Sequence, residues 1–370
     1  MNPFVYGRIV SKTDFCPRPR LEKVLSAHID SNQNVLIEGE RRTGKTSLIC
    51  ETIRKIKGAK VLHVDLLEIK TVEDLCRRMV KAILSLGTSG GFLNTLMQGL
   101  GRLRPVMSID TLSGLPTISL AAEAQLEPSS IEVILDLIAQ QKGKNKIVVV
   151  LDEFQDILNL KDHDETLAIL RSKIQFHKNV PYVFSGSVRN KMNDIFNNPD
   201  SSFFKSAITI EVGSIEKEVF HTFIMKKFME TNRGINVIVI ERIFPIAQEN
   251  PGDIQQMCGA LWDCSNEKDF IDESYIPKAF ELIFSRESKG YEAALNRLSA
   301  QQMHCLTGLA RFGGKSLLSA DFMKVTGISQ PASIKKALTK LIEINIVFRN
   351  KDEYKFVNPY FRAWLIAKNI

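Results

Sequence analysis

The sequence predicts an α/β fold built on a parallel sheet, followed by helical modules, and three observations carry that expectation. Five short apolar runs rich in β-branched residues punctuate the first 215 residues, at 35–37, 61–64, 147–151, 182–184 and 208–212. Between most of them lie stretches with apolar residues at three- and four-residue spacing, the mark of amphipathic helices. Alternating strands and helices imply parallel strands covered on both faces, and nearly continuous apolar strands fit that double burial. After residue 212 the strand signal stops and helix follows helix.

Taken in order, helices are expected at 21–29, 45–55, 72–84, 130–141 and 165–177. Residues 85–127 are rich in Gly, Ser and Thr, and read as an insertion on the sheet's rim with a short strand near 117–120. Helices at 216–230, 237–248, 253–264 and 273–286 form a block directly behind the sheet, which reads as a lid. From about residue 288 a third pattern begins. Helices at 299–311, 319–326 and 331–344, with Gly327 at a tight turn, have the layout of a helix-turn-helix. Two apolar runs at 346–348 and 354–356 flank a polar tip and read as a β-hairpin wing. The expected domains are therefore 1–215, 216–287 and 288–370.

Composition bounds the function. A chain of 370 residues exceeds the roughly 100–200 residues of one domain. With 44% hydrophobic and 25% charged residues it has the make-up of a folded globular protein, which excludes a disordered one. No basic head with an apolar run opens the chain, and no apolar run approaches the roughly 18–20 residues that cross a bilayer. Six scattered cysteines, without a Cys-x-x-Cys pair or clustered histidines, argue against zinc and disulfides and for reduced thiols in the cytoplasm. The net charge of +7 is unevenly spread: residues 288–370 hold 13 Lys/Arg against 5 Asp/Glu, and the first 287 hold 36 against 37. An anionic partner is expected at the C-terminal module.

The chemistry concentrates in two motifs. Gly39-Glu40-Arg41-Arg42-Thr43-Gly44-Lys45-Thr46 matches G-x-x-x-x-G-K-[ST], with a buried strand before it and a helix after it. Such a loop aims backbone N–H groups and the positive end of a helix dipole at phosphate, and its glycines let the chain wrap closely. Gly39, Arg42, Thr43, Gly44, Lys45, Thr46 and Ser47 are the expected phosphate-binding residues; Lys45 supplies charge to the β/γ oxygens and the Thr46 hydroxyl ligates Mg²⁺. The second motif is the strand 146–151 ending in Asp152-Glu153, where Asp152 is placed to hold Mg²⁺ and Glu153 to polarise an attacking water. At the end of the next strand, Ser187 or Ser185 could sense the γ-phosphate, and Arg189 opens the following helix. Asn266-Glu267-Lys268-Asp269 has the wrong order for guanine recognition, so adenine, and hence ATP, is the expected base.

These residues resemble the archaeal-type ATPases within the signal-transducing STAND branch of the AAA+ superfamily, over almost the whole chain. The resemblance rests on Phe15-Cys-Pro-Arg18-Pro-Arg20-Leu, the 39–48 loop, Leu151-Asp-Glu-Phe-Gln155, Phe184-Ser-Gly-Ser-Val188 with Met192 and Phe196, and Asn358-Pro-Tyr-Phe-Arg-Ala-Trp-Leu365. It implies a three-layer α/β/α core with strand order 5-1-4-3-2, a helical lid and a C-terminal winged helix. It also implies that Arg18 and, in Asn250-Pro251-Gly252, Pro251 touch the nucleotide. Where the family often has an arginine before the fifth strand, Ser206 stands here, with Lys205 as a substitute.

In the winged helix, the helix at 331–344 would present Ser333, Lys335, Lys336 and Lys340 to a major groove, with Arg349, Lys351 and Lys355 on phosphates. The alternative is a protein-docking or autoinhibitory module whose lysines form a solvated face. The recognition helix lacks an Arg, Gln and Asn set for reading bases, so backbone contact is expected. The combined expectation is an ATP-driven molecular switch acting on DNA. The competing reading is an ATP-gated regulator or loader bound to DNA, or a scaffold for a protein partner or a second copy, with incidental hydrolysis. A small-molecule kinase fits least.

Overall fold

The computed structural model describes residues 1–86, 105–109, 116–120, 127–140, 146–187, 189–350 and 352–369. They form two compact units, Ile9–Gly213 and Met1–Arg8 with Ser214–Ile370.

In the first unit, strands β1 (Val35–Glu38), β2 (Ala59–Asp65), β5 (Lys146–Asp152), β6 (Tyr182–Gly186) and β7 (Ile208–Glu211) pair in parallel in the order β2-β5-β6-β1-β7. Counted along the chain this is 2-3-4-1-5, the order implied by the family resemblance. Helices α1 (Pro19–Asp30), α2 (Lys45–Lys55), α3 (Val72–Ser85), α4 (Pro128–Ala139), α5 (His163–Ile174) and α6 (Arg189–Phe196) accompany the sheet. The strand at 117–120 is β4 (Pro116–Leu120), paired antiparallel with β3 (Pro105–Ile109); the rest of the insertion lies outside the described residues.

Alternation along β5 explains the three layers. Val149 and Leu151 pack into one apolar cluster with residues of α3, α4 and α5, whereas Val148 and Val150 pack into another with Leu25, Ile29, Leu48 and Ile49 of α1 and α2. Successive side chains of a strand point to opposite faces, so a continuous Val run feeds both cores. Each such side chain stabilises the fold by about 1.5–3 kcal/mol when fully buried. A group of four rings, Phe154, Phe184, Phe196 and Phe203, meets at centroid distances from 4.8 to 5.8 Å. It anchors the ends of β5 and β6 from below.

The second unit contains α7 (Lys217–Met229), α8 (Val237–Ile246), α9 (Pro251–Asp263) and α10 (Tyr275–Leu295), with two-residue strands β8 (Gly234–Ile235) and β9 (Phe270–Ile271). The first residues of the chain belong here: the Phe4 ring lies 4.7 Å from that of Phe228, and Lys227 Nζ donates to the Pro3 carbonyl at 2.7 Å. The winged helix follows as α11 (Ala300–Phe312), α12 (Ala320–Thr326), α13 (Pro331–Glu343), the hairpin β10 (Val347–Asn350) and β11 (Glu353–Phe356), and α14 (Pro359–Ala367). Ser299 and Gln302 close a capping box at the start of α11, and Gly327 turns at φ +67° after α12.

The boundary expected at residue 288 falls inside α10, whose last turns bury Tyr291 and Leu295 in the winged-helix core. Glu287, also within α10, accepts hydrogen bonds from Gln256 of α9, from Tyr291 and, at 2.9 Å, from Asn358 at the start of α14. Tyr360 of α14 donates to the Asp253 carbonyl in α9. Helices α7–α9 and the winged helix are joined by α10 and this polar cluster.

Candidate functional site

The 39–46 loop leaves β1 and returns as α2. Its turn is made by Arg42 at φ 65° and Gly44 at φ +82°, both in the left-handed region. Gly44 is the N-cap of α2, so the loop runs directly into a helix N-terminus, whose first backbone N–H groups are the kind that bind phosphate. Gly39 is required for another reason: a Cβ there would lie 2.4 Å from the Val212 carbonyl oxygen. The loop is braced internally by Thr43 Oγ1, which donates to the Glu40 carbonyl at 2.8 Å. Lys45 Nζ donates to the carbonyls of Gly39 and Glu40 at 3.0 and 2.9 Å. Burial pushes the Lys45 ammonium pKa below its ordinary value, opposed by the nearby carboxylates of Glu153 and Asp152.

The residues around this loop hold its shape. Arg18, only 7% exposed, donates to the Thr43 carbonyl at 2.7 Å and to the Gly213 carbonyl at 3.0 Å, so it ties the loop's back to the end of the sheet domain. Burial lowers its guanidinium to about 10. These contacts are with backbone carbonyls, which makes Arg18 a brace of the loop. Ser47 Oγ accepts the Val10 N–H at 3.1 Å and pins the entering chain onto α2.

At the C-terminal ends of the neighbouring strands the carboxylates converge on the loop. Thr46 Oγ1 donates to Asp152 Oδ2 at 2.6 Å, and His63 Nε2 stands 3.4 Å from the same oxygen. Burial opposes the Asp152 charge, yet hydrogen bonds with His63 and Thr46 hold its carboxyl below the usual range. Glu153 takes φ 50°, a left-handed turn that ends β5 and starts the 3₁₀ turn Phe154–Asn159. Phe154 goes down into the aromatic group while Glu153 stays at the site. Ser187 Oγ, just past β6, donates to Glu153 Oε2 at 2.8 Å, and Gln155 Nε2 donates to the same oxygen at 2.6 Å. Ser185, the other candidate, is fully buried in β6.

Thus Gly39, Arg42, Thr43, Gly44, Lys45, Thr46, Ser47, Asp152, Glu153 and Ser187 all belong to the first unit, with Arg18 behind the loop. Pro251 is the first residue of α9 in the second unit, where Asn250 caps the helix through the Gly252 N–H at 3.0 Å. Lys335, Lys336 and Lys340 are exposed on α13, and Lys340 pairs with Glu343 at 2.9 Å. Arg349 lies 3.7 Å from Asp352 and 5.8 Å from the centre of the Tyr354 ring; Lys351 lies outside the described residues. Sequence reasoning passed over His63, because its place depends on register: it sits opposite Val150 in β5, two positions before the Asp65–Asp152 pair. It also assigned Gln155 no role.

Residues 28–189 match a family model described as an AAA domain, and residues 289–367 match one described as a probable winged helix domain. No curated protein matches the sequence. Among solved structures, the Walker-type ATPase of Pyrococcus abyssi is similar over 98% of this chain and 99% of its own, with TM-score 0.67 and 17% identity. The ORC1 protein of Aeropyrum pernix in complex with DNA covers 96% and 95%, with TM-score 0.53 and 11% identity. The ADP form of the ORC2 protein of the same organism covers 99% and 96%, with TM-score 0.51 and 14% identity. At these identities the likeness is one of fold. The chain carries a P-loop α/β/α domain of the AAA type and a C-terminal winged helix.

Proposed function

We propose that this protein is an ATP-hydrolysing switch of the STAND type, working in the cytoplasm, whose nucleotide state controls binding of DNA by the winged helix. The observation that carries the hydrolytic part is the convergence of Lys45, Thr46, Asp152, Glu153 and Ser187 at one end of the sheet. A loop of inward-facing amides alone would support binding of phosphate. The carboxylate of Glu153, fixed beside Asp152 and Ser187, adds a group that can accept a proton from water.

The residues fit magnesium. Thr46 Oγ1 and Asp152 Oδ2 are hard oxygen donors already side by side, the set this ion takes in nucleotide sites. When bound, Mg²⁺ would supply positive charge to the β- and γ-phosphate oxygens. Lys45 adds a second charge from the loop, Glu153 orients and deprotonates the attacking water, and Ser187, whose hydroxyl donates to Glu153, holds that carboxylate in place.

Phosphate release by the wild type, Lys45→Ala and Glu153→Gln tests the assignment. Glu153→Gln should keep nucleotide binding and lose about 100-fold or more of turnover. Equal rates in all three proteins would sink it.

DNA as partner is supported by the positive balance of residues 288–370 and by the complex in which the Aeropyrum pernix ORC1 protein was solved. Lys335, Lys336, Lys340, Arg349 and Lys351 are the proposed contacts, mostly to phosphates. Titrations of duplex DNA at several salt concentrations, with ADP and with a non-hydrolysable ATP analogue, decide this. A flat salt response would remove DNA, since phosphate contacts release counterions; equal affinity in the two nucleotide states would remove the switch.

A further inference from the structure

The buried amide of Gln155 is the largest polar group at the site that the hydrolytic reading leaves unused. It is 1% exposed. Burying an amide is unfavourable unless its hydrogen bonds are made. Two of those of Gln155 run to the residues that face the reaction: Nε2 donates to Glu153 Oε2 at 2.6 Å, and Oε1 accepts the Ser187 N–H at 3.3 Å; a longer contact, 3.5 Å, runs from Nε2 to Asp156 Oδ1. Ser187 Oγ closes the triangle by donating to Glu153 Oε2 at 2.8 Å. One Glu153 oxygen therefore holds two donors. Among the described residues, Oε1 has no protein donor and is the oxygen left to receive water.

The surrounding chain is shaped for this triangle. The left-handed turn at Glu153 brings side chains 153 and 155 to the same side. A Cβ at Gly186 would lie 2.6 Å from Gln155 Oε1 and 2.5 Å from Met192 Sδ, so a larger residue there would push the amide out of its present place.

We propose that Gln155 is a positioning residue for hydrolysis: it fixes the carboxylate of Glu153 through Oε2 and locks it to the Ser187 backbone, so that the base and the end of β6 move together. This rests on the hydrolytic reading above. Gln155 touches neither nucleotide nor water, and its effect passes entirely through Glu153 and Ser187.

The test is a double-mutant cycle on the full chain, with Gln155→Met, which keeps length and removes both hydrogen bonds, and Glu153→Gln. Steady-state ATP hydrolysis, affinity for a fluorescent ADP analogue and thermal unfolding are read together. Gln155→Met is expected to lower kcat about 10-fold or more, because a misplaced base is costly, while KM and the affinity for ADP stay within about twofold. In the Glu153→Gln background the same substitution should change the residual rate by less than about twofold, since it has no base left to position. An unchanged kcat in Gln155→Met, or equal losses in both backgrounds, overturns the proposal while leaving the ATPase assignment standing. A collapse of ADP affinity together with kcat gives Gln155 a purely structural role and overturns it too. A wild type that binds ADP and releases no phosphate removes the hydrolytic reading, and this proposal with it.

Discussion

Lys45 and the lysines of α13 are the same residue type in opposite physical states. Lys45 is 6% exposed, donates to two loop carbonyls and has two carboxylates nearby, at a helix N-terminus that must be balanced by an anion. Lys335 and Lys336 are exposed, and Lys340 has an acid of its own helix as partner. A buried charge held by fixed dipoles is preorganised and acts at one point. Exposed charges on flexible stems act by number, weakly and at long range, and salt screens them. The P-loop end of the molecule is therefore specified atom by atom, and the winged-helix face by its sum.

Substitutions should separate the two regimes. The largest effect in this series is expected for Lys45→Ala, which should weaken ATP binding by about 3 kcal/mol, roughly a hundredfold, as read by titration with a fluorescent analogue. Arg18→Met should leave the buried Thr43 carbonyl without its donor and free the more exposed Gly213 carbonyl to water; urea unfolding is expected to report a loss of about 2 kcal/mol. If stability is unchanged and nucleotide affinity alone falls, Arg18 touches the ligand and is more than a brace. Replacing Lys335 and Lys336 together by Ala should flatten the plot of log affinity for DNA against log salt by about 2, with the fold intact. A slope that does not move places the DNA elsewhere. Smallest of all, Lys340→Ala should shift stability by less than about 0.5 kcal/mol, because an exposed pair within one helix is worth little; a larger loss would show that α13 is as tightly specified as the P-loop.

What could be read from the sequence follows the same division. The loop from Gly39 to Thr46 was legible because phosphate binding demands glycine, lysine and hydroxyl at fixed local spacing. Asp152 and Glu153 were legible because a run of Val ends on them. Strands β1, β5 and β6 were found for a similar reason, being buried on both sides, and β2 and β7 by their short β-branched runs. His63 and Gln155 were not, since their roles arise across strands: one from the register of β2 with β5, the other from a glycine 31 residues away in β6. The helix expected at 273–286, before a new pattern at about 288, runs on to Leu295 through Gly290. Glycine in a helix costs only about 1 kcal/mol relative to alanine, and burial of Tyr291 and Leu295 beyond it outweighs that. The pairing of β4 with β3 was missed because Pro105 opens a segment otherwise read as loop.

The continuity of α10 bears on how the chain can be cut. Its 21 residues make a rod of about 32 Å, and a scissile bond placed between 287 and 288 would break the rod near its middle. The fragment 288–370 would lose the turn carrying Glu287, stranding Asn358 and Tyr291, and would expose apolar surface of α10. Limited proteolysis of the intact protein should spare this bond, and a soluble winged-helix fragment should begin near Tyr275.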